Sequence, residues 1–150
     1  MNDLKESRTL QQALRRINKC QRNIGAQSFS QIGLSSGQPK VIQFLNRYEG
    51  CSQKDLAKLC HIQPATMTSL LNHLEKDELI YRVINKDDRR ITNVFLTPKG
   101  KKLQKQVDEK LDYMNDQALQ GFTELEKEQL NSYLDRIYQN LKVEELKGDA

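Results

Sequence analysis

Apolar residues keep two different rhythms along this chain, and the switch between them divides it. Leu10, Leu14, Ile17, Cys20 and Ile24 recur at helical spacing, which predicts a first helix from about Glu6 to Ser28. Gly33, Ser35, Ser36 and Gly37 break that pattern. Val41, Ile42, Phe44 and Leu45 then mark a second helix from Gln38 to Arg47, ended by Glu49 and Gly50. A short third helix is expected from Ser52, a good N-cap with Asp55 at capping-box spacing, to about Cys60. His61, Ile62 and Gln63 form a tight turn. Pro64, whose missing N–H costs nothing at a first helical position, opens a fourth helix to about Lys76. From Leu79 the rhythm becomes alternation: Leu79 to Ile84 and Ile91 to Leu96 read as two strands around the polar turn Asn85, Lys86, Asp87, Asp88. Thr97 and Pro98 then start a long helix whose stripe is Leu103, Val107, Leu111, Met114 and Ala118. Gly121 and Phe122 interrupt it, and Thr123 with Glu126 caps a last helix with Leu130, Leu134, Ile137 and Leu141 on one side.

Two short helices, a tight turn and a hairpin make a winged helix-turn-helix. The expected fold is therefore mainly α with a small β-hairpin wing. Its core lies at 38–98, an N-terminal helix and linker at 1–37, and C-terminal helices at 99–150. The flanking stripes exceed what so small a core can cover, which points to a homodimer built from the terminal helices. The alternative is a monomer whose arms pack on the core.

The fourth helix can be divided by its faces. At 100° per residue, Met67, Leu70, Leu71 and Leu74 share the core side. Ala65, Ser69, Asn72 and Lys76 lie opposite, flanked by Thr66, Thr68 and His73, with Gln63 and Pro64 at the helix entrance. That outward row is small, hydroxylic or amide-bearing, and suits a major groove. An ordinary solvated face is the other reading, but such a face more often carries Glu and Lys pairs. The hairpin tip carries Lys86, Arg89 and Arg90. Arginine there buries nothing, yet it reaches phosphates or a narrow minor groove.

Charge changes the picture next. The net charge of +4 hides a split: residues 1–102 hold 18 Lys or Arg against 9 Asp or Glu, while residues 103–150 hold 6 against 11. A basic body suggests a polyanion partner, double-stranded DNA above all, for the first part. No apolar run approaches bilayer length and the charged N-terminus lacks a signal-peptide core, so no membrane partner and a cytoplasmic location are expected. Three cysteines without disulfide or zinc spacing fit a reducing compartment. Cys51 and Cys60 read as small core residues. Cys20, among Arg16, Lys19 and Arg22, reads as a packing residue or, if exposed, a thiol sensor. No Gly-rich phosphate loop, Cys-x-x-Cys or His-Glu-x-x-His is present, so no enzyme, cofactor or metal is expected. The weighed alternative is a winged helix used for protein interaction without DNA binding, although its recognition face would then be more apolar or acidic.

Several segments together resemble the MarR family of bacterial transcription regulators. They are Gln53-Lys54-Asp55-Leu56-Ala57-Lys58-Leu59, Pro64-Ala65-Thr66-Met67-Thr68-Ser69-Leu70-Leu71, Leu74-Glu75-Lys76, and the wing Asp87-Asp88-Arg89-Arg90 with Leu96-Thr97-Pro98-Lys99-Gly100. Thr123-Glu124-Leu125-Glu126-Lys127-Glu128-Gln129-Leu130 resembles the opening of the family's last helix. The resemblance covers about residue 10 to residue 142. It implies a DNA-binding regulator, more often a repressor, acting as an obligate homodimer on a palindromic operator. It also implies that Arg89 enters the minor groove, held in place by Asp87 or Asp88. A small-molecule effector between the arms and the winged helix is a further expectation, with Ile17, Phe44 and Tyr113 as candidate lining. Two departures stand out. Family members commonly have glycine after the recognition helix, where this chain has Asp77 and Glu78. The reactive cysteine of the oxidation-sensing branch falls near Gln11 here, not at Cys20.

Overall fold

A computed structural model of the chain describes residues 9–148. The elements run α1 (Leu10–Ser30), α2 (Gln38–Arg47), α3 (Gln53–Leu59), α4 (Pro64–Lys76), β1 (Ile80–Ile84), β2 (Thr92–Leu96), α5 (Pro98–Ala118) and α6 (Glu124–Gly148). The expected helices and hairpin are present in the expected order. The first helix starts later than expected, because Thr9 is extended and its side chain accepts from the Gln12 N–H in a capping box. Glu6 to Arg8, the expected opening turn, lie outside the described residues. The chain divides into two compact units, 1–114 and 115–150.

The first unit has a single core. Val41, Ile42 and Leu45 of α2, Leu56 of α3, Met67, Leu71 and Leu74 of α4, Ile80 and Val94 of the sheet, and Val107 of α5 are all closed to solvent or nearly so. These are the apolar positions that the helical and alternating rhythms picked out, and burying them drives the assembly. Cys60 is buried with them, and the surroundings push its thiol up to about 11, chiefly by desolvation. Cys51 is half-buried and Cys20 is exposed.

The hairpin is antiparallel, pairing Ile80 with Leu96 at its base and Ile84 with Thr92 near its tip. An isolated bridge pairs Ser52 with Asn93 beside the two-stranded sheet, and the Gly50 N–H donates to Val94 O. Gly50 has φ +78°, and a Cβ there would come within 2.8 Å of the Phe95 ring, so only glycine fits both the backbone and the space.

Both helices of the helix-turn-helix end in a left-handed residue that is not glycine, His61 (φ 52°) and Glu78 (φ 60°). Each end has the Schellman pattern. After α4, the Leu79 N–H donates to Leu74 O and the Glu78 N–H to Glu75 O, with Leu74 and Leu79 both buried. The turn after the recognition helix therefore keeps the left-handed shape that glycine usually supplies, and Glu78 bears the strain.

The three carbonyls of that turn are all bonded from the start of α5. Lys99 Nζ donates to Asp77 O at 2.7 Å, Thr97 Oγ1 to Glu78 O at 2.6 Å, and the Thr97 N–H to Leu79 O at 3.0 Å. Gly100 lies so close that an added Cβ would stand 2.0 Å from the Leu79 oxygen. In the second unit, Thr123 and Glu126 form the expected capping box, and α6 has no buried residue.

Two substitutions at this junction have opposite expected signs. Glu78→Gly relieves the left-handed strain and stabilises the fold by about 1 kcal/mol, less the extra chain entropy of glycine. Gly100→Ala forces apart α5 and the turn and destabilises by about 3 kcal/mol. Thermal and urea unfolding of the purified variants measures both.

Candidate nucleic-acid interface

The side of α4 opposite the core is open. Gln63, Pro64, Ala65, Thr66, Thr68, Ser69, Asn72, His73 and Lys76 are all exposed, so the structure brings the expected row together on one helix. Pro64 takes the first helical position after an extended Gln63. Several polar groups in the row are already bonded within the protein. Thr68 Oγ1 donates to Pro64 O at 3.0 Å and accepts from Gln53 Nε2 at 2.9 Å, tying α4 to the first turn of α3. His73 Nδ1 lies 2.8 Å from Ser69 O. A carbonyl only accepts, so Nδ1 must carry a hydrogen. Ser52 caps α3 through the Asp55 N–H and donates to Asp55 Oδ2.

The wing leaves the core after Ile80. Tyr81, Val83 and Ile84 are exposed, and Tyr81 stacks on Phe95 at 5.2 Å across the strands. The tip is organised by amides. Asn85 Oδ1 accepts from the N–H groups of Asp87 (2.9 Å) and Asp88 (3.1 Å). Asn85 Nδ2 donates to Asn93 Oδ1 (3.2 Å), and Asn93 Nδ2 donates to Gly50 O (2.8 Å). This relay anchors the tip to the loop before α3.

Lys86, Arg89 and Arg90 are all exposed at that tip. Asp88 grips Arg90 with both oxygens, accepting from Nε at 3.0 Å and Nη2 at 2.9 Å, and also accepts from the Arg90 N–H. The Arg90 guanidinium holds the Asp88 carboxyl below the usual carboxylate range. The expectation that Asp87 or Asp88 holds Arg89 thus changes partner: the aspartate held is Asp88 and its arginine is Arg90. The reason is geometric. The Asp88–Ile91 turn brings the residue two positions on back over the carboxylate, and Arg89 is exposed at the turn's corner.

Arg82, Gln53, Asn85 and Asn93 escaped the sequence reading. Arg82 had a signal: it follows Ile80 at the same strand parity, so a charge lies at a core-facing position. In the structure it bonds Asn72 (2.8 Å) and Glu75 (2.6 Å) on α4. Asn85 had a local one, a turn-forming asparagine whose Oδ1 accepts from the N–H groups two and three residues on; Gln53 and Asn93 had none, since their partners are distant in sequence. Of the suggested effector lining, Ile17 and Tyr113 are exposed and Phe44 stacks on Tyr48, just past the end of α2. Among the described residues no group of His, Cys, Asp and Glu could hold a metal ion, and no helix is long and apolar enough to cross a membrane.

The comparisons agree with this geometry. A sequence model of the MarR family matches residues 34–92. An uncharacterised HTH-type transcriptional regulator of Bacillus subtilis, YybA, is 27% identical over 114 residues, 76% of each chain. Among solved structures, Staphylococcus aureus MepR in a DNA complex superposes with TM-score 0.79 at 27% identity, covering 89% of this chain and 98% of that one. A Listeria monocytogenes regulator assigned to the MarR family, complexed with 26mer DNA, gives TM-score 0.75 at 29% identity over 85% and 87% of the two chains.

The amide relay is open to direct test. Asn85→Ala removes the acceptor of the Asp87 and Asp88 N–H groups. Their hydrogen exchange should rise about fivefold, the weight of one hydrogen bond. The Val94 amide, bonded to Cys51 O, should keep its rate.

Proposed function

The chain belongs to the MarR family of winged-helix transcriptional regulators, and from that premise we propose that it is a cytoplasmic repressor. It binds a palindromic operator as a homodimer, with α4 in the major groove and the wing in the adjacent minor groove. The observation that carries this reading is the clamp of Asp88 on Arg90, whose side chain is 90% exposed. A fully hydrated cation fixed by a bidentate carboxylate adds little to stability. It does give a probe of fixed direction, with less side-chain freedom to lose on binding. Arg90 is accordingly the arginine assigned to the minor groove, and Arg89 and Lys86 are assigned to phosphates.

Pairing of two chains is supported by uncovered apolar surface. Leu10, Leu14, Ile17 and Ile24 of α1 are exposed, as are Leu125, Leu134, Leu141 and Leu146 of α6. So many leucines on helices otherwise rich in charge need a partner surface, and a second copy satisfies both sets by symmetry. Two recognition helices then read two half-sites.

Titration of a selected operator tests the wing. Arg90→Ala should weaken binding on the order of tenfold and relax selectivity over the wing-contacted bases, whereas Arg89→Ala should lower affinity evenly and reduce the salt slope by about one. Asp88→Asn removes a negative charge that faces DNA, and simple charge arithmetic would have it bind more tightly. The clamp requires the reverse, a loss of about threefold. Tighter binding by Asp88→Asn would refute the pre-positioned arginine. Light scattering tests pairing: a dimer mass is expected for the wild type, and a monomer mass with loss of operator binding for the double variant Leu134→Glu, Leu141→Glu. A wild-type monomer would overturn the dimer reading.

A further inference from the structure

Asn72 stands on the exposed row of α4, and a carboxamide there can meet either a donor or an acceptor on a base edge. The structure removes that choice. Arg82 Nη2 donates to Asn72 Oδ1 at 2.8 Å and to Glu75 Oε2 at 2.6 Å, which uses both hydrogens of that nitrogen. A guanidinium only donates, so the Asn72 atom facing it must be the oxygen. Asn72 Nδ2 has no partner among the described residues and is turned away from the wing strand.

We propose that Arg82 is a specificity-determining positioning residue. By holding the Asn72 oxygen against β1, it makes Asn72 enter the major groove as a hydrogen-bond donor. A donor complements an acceptor on the base edge: guanine O6 or N7, thymine O4, or adenine N7; cytosine, which offers only a donor there, is refused. The bidentate pairing of asparagine with adenine needs both ends of the amide aimed at the base, and the Arg82 bond opposes it. The proposal rests on the reading of the chain as a DNA-binding regulator.

Arg82 is suited to hold rather than to read. Its side chain is 21% exposed, and it lies on the strand face that carries buried Ile80. Glu75 anchors it from the next turn of α4, and the bond from Arg82 holds the Glu75 carboxyl below its ordinary range. Glu75 thus has a partner inside the protein and is not an unpaired negative charge beside DNA.

The experiment is a base-by-base titration with full-length protein on an operator selected from random duplex DNA by the wild type. Every position is varied to all four bases, and thermal unfolding is followed in parallel. Asn72→Ala locates the contacted position as the one where discrimination disappears. At that position the wild type should prefer the other three bases over cytosine by about fivefold. Arg82→Met keeps the apolar stem and frees the amide, so it should erase that preference there while other positions keep theirs. Asn72→Asp keeps the Arg82 bond but offers only acceptors, so the preference should move to cytosine, whose edge presents a donor and no acceptor. This second variant decides the question even if Arg82→Met does not fold. A wild-type preference for adenine over guanine and thymine at that position, the mark of bidentate pairing, would overturn the proposal, as would unchanged discrimination in Arg82→Met. An even loss of affinity at all positions with a shallower salt slope would assign Arg82 to a phosphate and overturn it too. If the wild type selects no DNA sequence, the regulator reading fails and the proposal falls with it. If it selects one and only the Asn72 position misbehaves, the proposal alone fails.

Discussion

The carbonyl of Leu79 is the point on which the rest of this structure depends. The Leu79 N–H closes the turn after α4 on Leu74 O, and the carbonyl, just before β1, accepts the Thr97 N–H that follows β2 and packs against Gly100 at the start of α5. Four elements are therefore joined within one turn of chain. Beyond Ile80 the wing strand exposes Tyr81, Val83 and Ile84. The direction of the wing relative to α4 is set at this junction and by the bridge from Arg82 to Asn72 and Glu75. A reader of two grooves needs that angle held, because an error of an ångström at the hinge grows along the length of the hairpin. The strain kept at Glu78 fits the same logic: a left-handed residue there is tolerated because the carbonyls of residues 77 to 79 are all bonded from Thr97 and Lys99.

Much of this was legible in the chain. The 3.6-residue rhythm located α2 and α4 to within a residue, because each buries a continuous apolar face whose spacing leaves no other solution. Pro64, Thr97 and Thr123 marked helix starts because capping chemistry is local. The exposed row of α4 followed from the same arithmetic as its core face. What was not legible has a common physical character: it depends on contacts that close through space. The Asn85–Asn93–Gly50 relay joins residues up to 43 apart in sequence. The choice between Arg89 and Arg90 turned on the curl of one β-turn, which composition does not reveal. Gly100 was visible as part of a motif, but the reason for a glycine there appears only when the Leu79 oxygen is placed beside it.

The interface also shows how polar groups are divided between folding and recognition. A surface that reads bases needs donors and acceptors in fixed directions, yet free polar side chains at a surface rotate and lose entropy when they bind. Here many of the polar groups on the reading face are held by a neighbour at one end. Thr68 is tied to Pro64 and Gln53, His73 to Ser69, Asn72 to Arg82, and Arg90 to Asp88. Each such bond spends one face of the side chain and orients the other. Exposed hydrogen bonds of this kind contribute little to stability, because water competes for both partners. Their weight falls instead on binding, where the cost of ordering has already been met in the free protein. Among the described residues Lys76, Lys86 and Arg89 make no such bond, and a contact to phosphate asks for none, since a backbone oxygen accepts from a wide range of directions and carries no sequence information. In the proposed reading the tethered Asn72 and Arg90 meet bases, and the untethered Lys86 and Arg89 meet phosphates.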